Sequence, residues 1–306
     1  LKEGSFINFY GGEPLLAFPQ IQHAVQLLQN GRETQFSLST NGSLIDDEKL
    51  EFFNQNKFSI LLSFDGIVQD ITRQNASLKK TLAVLEKILA CPDIDLEIHS
   101  VFTPETIPYI SESALLMTKL GVPEFSIVLS QTDEWDLSAL LSYKEELQFL
   151  KPFMLAFYLR EGYIPFANFR RNKSRGVFSC YAGRDRLTIM PDGKIWGCHL
   201  FADFYNGKED SEEYSKYCFG DLDSFMENCE SIYPEISSNY LDFRMDRFYT
   251  DDTRCVDCEE IEECRVCPLD NRINGSHLNE IPRWVCEQNK ILRDVRKDFW
   301  KALIPE

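Results

Sequence analysis

The chain has 306 residues, 43% hydrophobic and 26% charged, with 23 Phe inside an aromatic share of 13%; that is core material for about two domains and excludes a chain disordered throughout. With 32 Lys and Arg against 49 Asp and Glu the net charge is −17, which argues against nucleic-acid binding through a basic surface. No run approaches the ~18 apolar residues of a membrane span. The opening Leu1-Lys2-Glu3-Gly4-Ser5-Phe6 is neither a signal peptide nor an initiator start, so the chain reads as cytoplasmic and cut at its N-terminus.

Strands are predicted at Ser5–Tyr10, Gln35–Thr40, Phe58–Phe64, Leu96–Phe102 and Phe125–Ser130, with helices between them. Pro19–Asn30 carries Ile21, Val25 and Leu28 on one face. Asp46 caps the next helix, with Leu50 and Phe53 inward, and Ser77 caps a third, striped by Leu78, Leu82, Leu85 and Leu89. Ile110–Leu120 stops at Gly121-Val122-Pro123. Strands alternating with helices imply an α/β fold with a parallel sheet, right-handed crossovers and a ligand site at the strand C-termini.

Residues 1–135 form this first domain. A linker and amphipathic helix follow over 136–175, with Leu137, Leu140, Leu141, Leu147 and Leu150 at near-helical spacing. Arg170-Arg171-Asn172-Lys173-Ser174-Arg175 reads as a solvated basic loop. Residues 176–306 form a cysteine-rich domain with a C-terminal helix. In it Leu187–Met190 and Lys194–Cys198 flank a Pro191-Asp192-Gly193 turn, and beyond them the chain reads as acidic and loop-rich.

Nine of ten cysteines fall between Cys180 and Cys286. A chain with a large core and no secretion signal points to metal ligation rather than disulfides. The order is Cys180-x12-Gly193-x4-Cys198, then Cys255-x2-Cys258-x5-Cys264-x2-Cys267, then Cys286. One structural zinc wants two CxxC pairs about 12–20 residues apart, whereas here the inner gap is five. Seven thiolates also exceed zinc's four, and Cys267-Pro268 has the Cys-Pro ending of iron–sulfur runs. Two clusters fit better than zinc.

The strand ends carry the other signal. Gly11 and Gly12 let backbone approach a ligand, and Glu13, before Pro14, offers a carboxylate to a cation. Thr40-Asn41-Gly42 and Ser63-Phe64-Asp65-Gly66 end the next two strands in the same small and polar way. Three such ends in succession suggest one shared site.

From about residue 5 to 286 the chain resembles radical S-adenosylmethionine (radical SAM) enzymes with a C-terminal SPASM domain. The likeness rests on Gly11-Gly12-Glu13-Pro14, similar to the family's GGEP motif, and on the seven-cysteine pattern. It implies a partial (β/α)6 TIM-like barrel and S-adenosyl-L-methionine (AdoMet) as cofactor. Gly11, Gly12, Glu13 and Pro14 would hold the methionine amino group, and Ser39 and Asn41 would face the nucleoside and methionine. Ser63 and Arg73 would take the methionine carboxylate, and Val128 would contact adenine. It also implies two auxiliary [4Fe–4S] clusters, one on Cys255, Cys258, Cys264 and Cys286, the other on Cys180, Cys198 and Cys267. The latter's fourth position would be open or filled by Cys218, which otherwise reads as a free thiol. Cys91 and Cys229 read as structural, and His23, His99 and His277 as ordinary surface or packing residues.

Two features depart from the family. No CxxxCxxC loop is present, so a third, AdoMet-cleaving cluster is expected only in a longer chain; Cys264-x2-Cys267 also has x2 where the family shows x3. The resemblance implies a peptide maturase forming thioether or carbon–carbon crosslinks through a 5′-deoxyadenosyl radical. Its partners would be a precursor peptide or protein substrate and an electron donor such as flavodoxin or ferredoxin, with no nucleic acid or membrane. The alternatives are an anaerobic sulfatase-maturing enzyme, whose aspartate base would stand where this chain has His199, and a non-catalytic cluster-binding protein.

Overall fold

A computed structural model describes residues 4–29, 34–73, 77–171, 180–241, 247–251, 253–259, 261, 264, 266–275 and 277–303. Residues 172–175 of the basic run lie outside them, as does the boundary expected at 175/176. The chain divides into two compact units, Leu1–Arg171 with Asp294–Glu306, and Asn172–Arg293.

The first unit is built on five parallel strands in sequential order: β1 (Phe6–Phe9), β2 (Gln35–Thr40), β3 (Ser59–Ser63), β4 (Asp95–Phe102) and β5 (Glu124–Leu129). The crossovers carry α1 (Phe18–Leu28), α2 (Asp47–Gln55), α3 (Gln69–Thr72) with α4 (Leu78–Leu89), and α5 (Ile110–Lys119). Each starts or stops for a local reason. Asp46 accepts the Lys49 N–H at 2.9 Å and Ser77 accepts that of Lys80 at 3.4 Å. Gly121, at φ 78°, ends α5, and Val122 N–H returns to Met117 O at 3.1 Å.

Side chains alternate across the sheet, so the two faces differ. Phe36, Leu38, Ile60, Leu62, Leu96, Ile98, Phe102, Phe125 and Ile127 are buried on one face. The register places Ser39, Leu61, Glu97 and Glu124 in one row of the other face, Ser63, His99 and Ser126 in the next, and Val101 beside Val128. That second face is mostly polar, and most of it is half-buried.

Helix α6 (Leu137–Glu161) follows, capped by Asp136 and ended by Gly162 at φ 78°. It buries Leu140, Tyr143, Leu147, Leu150 and Met154, while Leu137 and Leu141, expected on the stripe, are exposed. The buried face is set by contact with α5, which favours Tyr143 and Met154 over a leucine count. Beyond α6 the Asn168 side-chain amide covers the edge of β5, accepting from Ile127 N and donating to Ile127 O.

The second unit holds a three-stranded antiparallel sheet in the order β6 (Thr188–Ile189), β7 (Lys194–Trp196), β8 (Cys218–Asp221). The expected hairpin turn closes with Met190 N–H on Lys194 O at 2.9 Å and Gly193 at φ 81°. The expectation of loops beyond it is corrected: α7 (His199–Tyr205), α8 (Glu212–Tyr217) and α9 (Leu222–Tyr240) occupy most of that stretch. Ser211 and Asp221 cap α8 and α9, signals masked in the sequence by the acidic surroundings. A hairpin β9 (Tyr249–Thr250) and β10 (Thr253–Arg254), helix α10 (Pro268–Asn274) and helix α11 (Arg283–Lys301) complete the chain; α11 from Asp294 onward belongs to the first unit. No helix among the described residues is long and apolar enough to cross a membrane.

Gly66 offers a test of the first unit's packing. At φ 68° an added Cβ would stand 2.3 Å from Ser113 Cβ and 2.9 Å from its Cα. Gly66→Ala should lower stability by about 3 kcal/mol, strain and overlap acting together. Gly162→Ala, with the same handedness but open space, should cost only about 1 kcal/mol. Denaturant midpoints of the two variants check the difference.

Candidate functional site

At the β1 end, Gly11 has φ 154°, and open space surrounds the positions of an added Cβ at both Gly11 and Gly12. The backbone there is bare to an approaching ligand. The Glu13 carboxylate turns back into the protein: it accepts the Thr40 hydroxyl at 2.8 Å, Asn41 N–H at 3.1 Å and Leu15 N–H at 3.2 Å. Glu13 thus ties the β1 loop to the β2 end and starts the helical turn Pro14–Ala17. Asn41 Oδ1 accepts Ser43 N–H at 2.8 Å, fixing the following turn.

The next strand ends are joined by Asp65, which is 1% exposed. It accepts Arg73 through Nε at 2.7 Å and Nη2 at 3.0 Å, the Thr72 hydroxyl at 2.6 Å and Val101 N–H at 2.9 Å. The expected site residue Arg73 is therefore fixed by a bidentate pair that the sequence reading did not contain. Ser63 lies opposite His99 in the register. Burial, with the Arg73 charge acting in the same direction, holds the His99 imidazole below its ordinary pKa, and Asp65 opposes them. Ser39 and Val128 project from the same face of the sheet as Ser63.

In the second unit the cysteines gather in two sets. Cys255, Cys258, Cys264 and Cys286 line one cavity of about 240 Å³. Cys255 opens a tight turn with its N–H on Phe248 O, Cys258 N–H returns to Cys255 O, and Cys286 stands in the first turn of α11. Burial pushes the Cys255 thiol up to about 11, and neighbouring Cys286 and Cys258 add to it. Burial likewise raises Cys264 to about 12, with Cys255, Cys286 and Cys258 as its neighbours. Arg283 and Lys290 line the same cavity with Asp251 and Glu287, and Lys290 Nζ donates to Glu287 Oε1 at 3.0 Å. Thr250 Oγ1 is buried with no hydrogen-bond partner among the described residues, and Thr250 also lines this cavity.

Cys180, Cys198 and Cys267 make the second set. Gly183 N–H donates to Gly197 O at 3.3 Å, which joins the turn after Cys180 to the strand end before Cys198. The Tyr240 hydroxyl accepts Gly197 N–H at 3.0 Å and donates to Tyr217 O at 2.8 Å. Its ring lies so close that a Cβ at Gly183 would approach it to 2.2 Å. Burial raises the Cys198 thiol; the Leu200 N–H opposes this, and Cys180 adds to it. Burial and the Asp270 carboxylate push Cys267 up to about 12, with Cys198 also near. Burial raises Asp270 itself to about 7, against a hydrogen bond from Cys267. Cys218 lies elsewhere, buried on β8 against the Tyr214 hydroxyl and Lys194. Cys229 is exposed, and the Cys91 thiol donates to Lys87 O at 3.4 Å.

A tetrahedral zinc with Zn–S bonds of about 2.3 Å needs its thiolates about 3.8 Å apart. Among the described residues no three or more His, Cys, Asp or Glu are arranged to hold a single ion. The four-thiol set instead surrounds a volume, has both basic and acidic groups in its lining, and includes a hydroxyl with a spare hydrogen bond. That donor set fits an iron–sulfur cluster, which places negative charge inside the cavity and takes hydrogen bonds at sulfur.

No family model matches the chain. The radical SAM cyclopropyl synthase TigE of Paramaledivibacter caminithermalis is 24% identical over 277 residues, 84% of this chain and 52% of TigE. Native anSMEcpe with bound AdoMet and Kp18Cys peptide superposes with a TM-score of 0.71 at 17% identity, covering 98% of this chain and 86% of that one. Streptococcus suis SuiB bound to S-adenosylmethionine gives a TM-score of 0.59 at 16% identity, over 92% of this chain and 66% of SuiB. The chain spans about half the length of the curated relatives it matches.

The fold is the one seen in anSMEcpe and SuiB. In this chain it carries five parallel strands with their polar ends together and a separate unit with two sets of thiols.

The thiols also set a pH dependence in the metal-free protein. Folded values of about 11 for Cys255 and about 12 for Cys264 and Cys267 lie above the ~8.5 of an unfolded cysteine. Their stabilising contribution is therefore complete below about pH 8.5 and is lost as pH rises toward the folded values. Limited proteolysis of metal-free protein should cut the 180–290 region faster with each step from about pH 8.5 to 11. A flat or rising protection across that window would contradict the buried placement of these thiols.

Proposed function

We propose that the chain is the AdoMet-binding and auxiliary-cluster portion of a radical SAM enzyme that modifies a ribosomally made peptide by thioether or carbon–carbon crosslinking. The observation that carries the reading is the cavity lined by four thiols, with the spare Thr250 hydroxyl beside them. AdoMet, when bound and reduced by one electron, supplies a carbon radical able to remove a hydrogen atom from a peptide residue.

This chain's residues supply binding and orientation. Gly11 and Gly12 let backbone reach the methionine amino group, with the loop held in place by Glu13. Ser39 and Asn41 face the nucleoside and methionine, and Val128 presents an apolar surface to adenine. Ser63 and Arg73 receive the methionine carboxylate, and Asp65 holds the guanidinium still while they do so. In the second unit Cys255, Cys258, Cys264 and Cys286 hold one cluster, and Cys180, Cys198 and Cys267 hold another. The AdoMet and peptide bound in the structural neighbours support the cofactor and the peptide substrate, and an electron carrier such as flavodoxin or ferredoxin completes the proposed set.

Anaerobic reconstitution of the 306-residue chain should load about eight irons with broad absorption near ~400 nm, as two four-iron clusters require. Stoichiometric zinc without iron would overturn the reading. Glu13→Ala should weaken AdoMet binding to the reconstituted protein about tenfold or more, because it frees the Gly11-Gly12 loop; unchanged affinity by titration calorimetry would remove that loop from the site.

The −17 charge suggests a precursor leader with basic residues, since opposite charge speeds encounter and salt screens it. The protein with its natural flanking sequence should bind a leader-containing peptide far better than the core segment alone, and less so at high salt. Equal affinity for both peptides would defeat the maturase reading. Preferential binding of a sulfatase segment would instead favour the sulfatase-maturing alternative.

A further inference from the structure

We infer that the Asp270 carboxylate is the fourth protein ligand of the cluster held by Cys180, Cys198 and Cys267. The inference rests on the cluster reading above and concerns the position which that reading leaves without a cysteine. A four-iron cluster presents four irons to the protein, and this set offers three thiols. The other cysteines are committed elsewhere: Cys218 faces Tyr214 and Lys194, Cys229 is exposed, and Cys91 belongs to the first unit.

Asp270 stands against one of these three thiols, that of Cys267. Cys267 is the residue before the first turn of α10, and Asp270 lies in that turn. As N-cap and third helical residue the two side chains can meet over the first turn of α10. Asp270 Oδ1 is buried, and the carboxylate is in hydrogen-bond contact with the Cys267 thiol.

That contact cannot survive loading unchanged. When Cys267 binds iron its thiol proton leaves to solvent. An anionic sulfur would then face an anionic carboxylate inside a poorly polarisable site, where like charges repel strongly. Coordination removes the conflict. Asp270 keeps no proton, one oxygen–iron bond forms at the iron next to that of Cys267, and no electron is transferred. A carboxylate holding a proton and donating it to a cluster sulfur is the competing arrangement. The amide of Asp270→Asn mimics that neutral donor but offers no anionic oxygen.

The test uses the full chain, reconstituted anaerobically as wild type, Asp270→Asn and Asp270→Cys, with circular dichroism to confirm folding. Asp270→Asn should lose about one iron per chain and show a [3Fe–4S] electron paramagnetic resonance signal after mild oxidation, whereas Asp270→Cys should regain the full complement with a shifted reduction potential. The wild-type spectrum should not change when a small thiol or cyanide is added, a measurement that needs no variant. Asp270→Asn with unchanged iron content, spectrum and potential would overturn the assignment, as would a wild-type spectrum altered by added thiol, which reports an open iron. Wild-type protein that takes up no cluster would fail the parent reading instead, and is recognised by its lack of iron.

Discussion

Parallel sheets are ordinarily apolar on both faces, because the crossover helices cover both, and the sheet of the first unit departs from that in a way that organises the rest. One face is packed by helices and contains Phe36, Leu38, Ile60, Leu62, Ile98 and Phe125. The other carries Ser39, Ser63, Glu97, His99 and Ser126 in adjoining register positions. Burial raises the Glu97 carboxyl, with Glu124 beside it adding to the effect. Such a face costs stability unless it looks onto water or a polar ligand. In the proposed reading the polar side looks onto the ligand space, and the strand ends are where the ligand would be held.

A related constraint governs the second unit. Burial pushes up the thiols of Cys198, Cys255, Cys264, Cys267 and Cys286, so as thiolates they would be costly in the metal-free protein. The fold lessens that cost locally. Backbone N–H groups of Leu200 and Phe201 point at Cys198, and those of Leu269 and Asp270 at Cys267. Lys290 stands near Cys286 and Cys258. These donors oppose burial only in part, and the remainder is what a metal centre would neutralise. The aromatic packing of Phe201, Tyr205, Tyr217 and Tyr240 is what keeps the framework standing around the thiols.

How much of this was legible in the sequence depended on the range of the interaction. Caps and stops at Asp46, Ser77 and Gly121 are local, and they placed their elements within a residue or two. Gln35–Thr40 was placed without error because alternation and turn residues agree on it. The division of the thiols into two sets is what the family resemblance implies from their spacing. Long-range choices were hidden. Leu137 and Leu141 looked like core by periodicity, but the face of α6 is chosen by α5. Asp65 is legible as a polar strand end, whereas its pairing with Arg73 and Val101 spans helix and strand and has no periodic signature. Asp270 sits in a run read only for cysteines, and the i,i+3 relation to Cys267 was the signal available.

In the proposed reading the Asp65–Arg73 pair is where packing at the strand ends would serve recognition. Breaking a buried ion pair by removing one partner costs about 3–5 kcal/mol, because the other charge is left uncompensated. Asp65 is the more enclosed partner, at 2% side-chain exposure against 25% for Arg73. The carboxylate is thus the anchor and the guanidinium its partly open end. Two of Arg73's nitrogens are spent on Asp65, so its orientation is set before any ligand arrives. In the proposed reading an incoming carboxylate near Ser63 meets a cation already oriented, and little ordering remains to be done on binding. A lysine at 73 would keep the charge but lose the planar fork that makes this orientation unique. Recognition at this strand end therefore depends on a residue that need not touch the ligand at all.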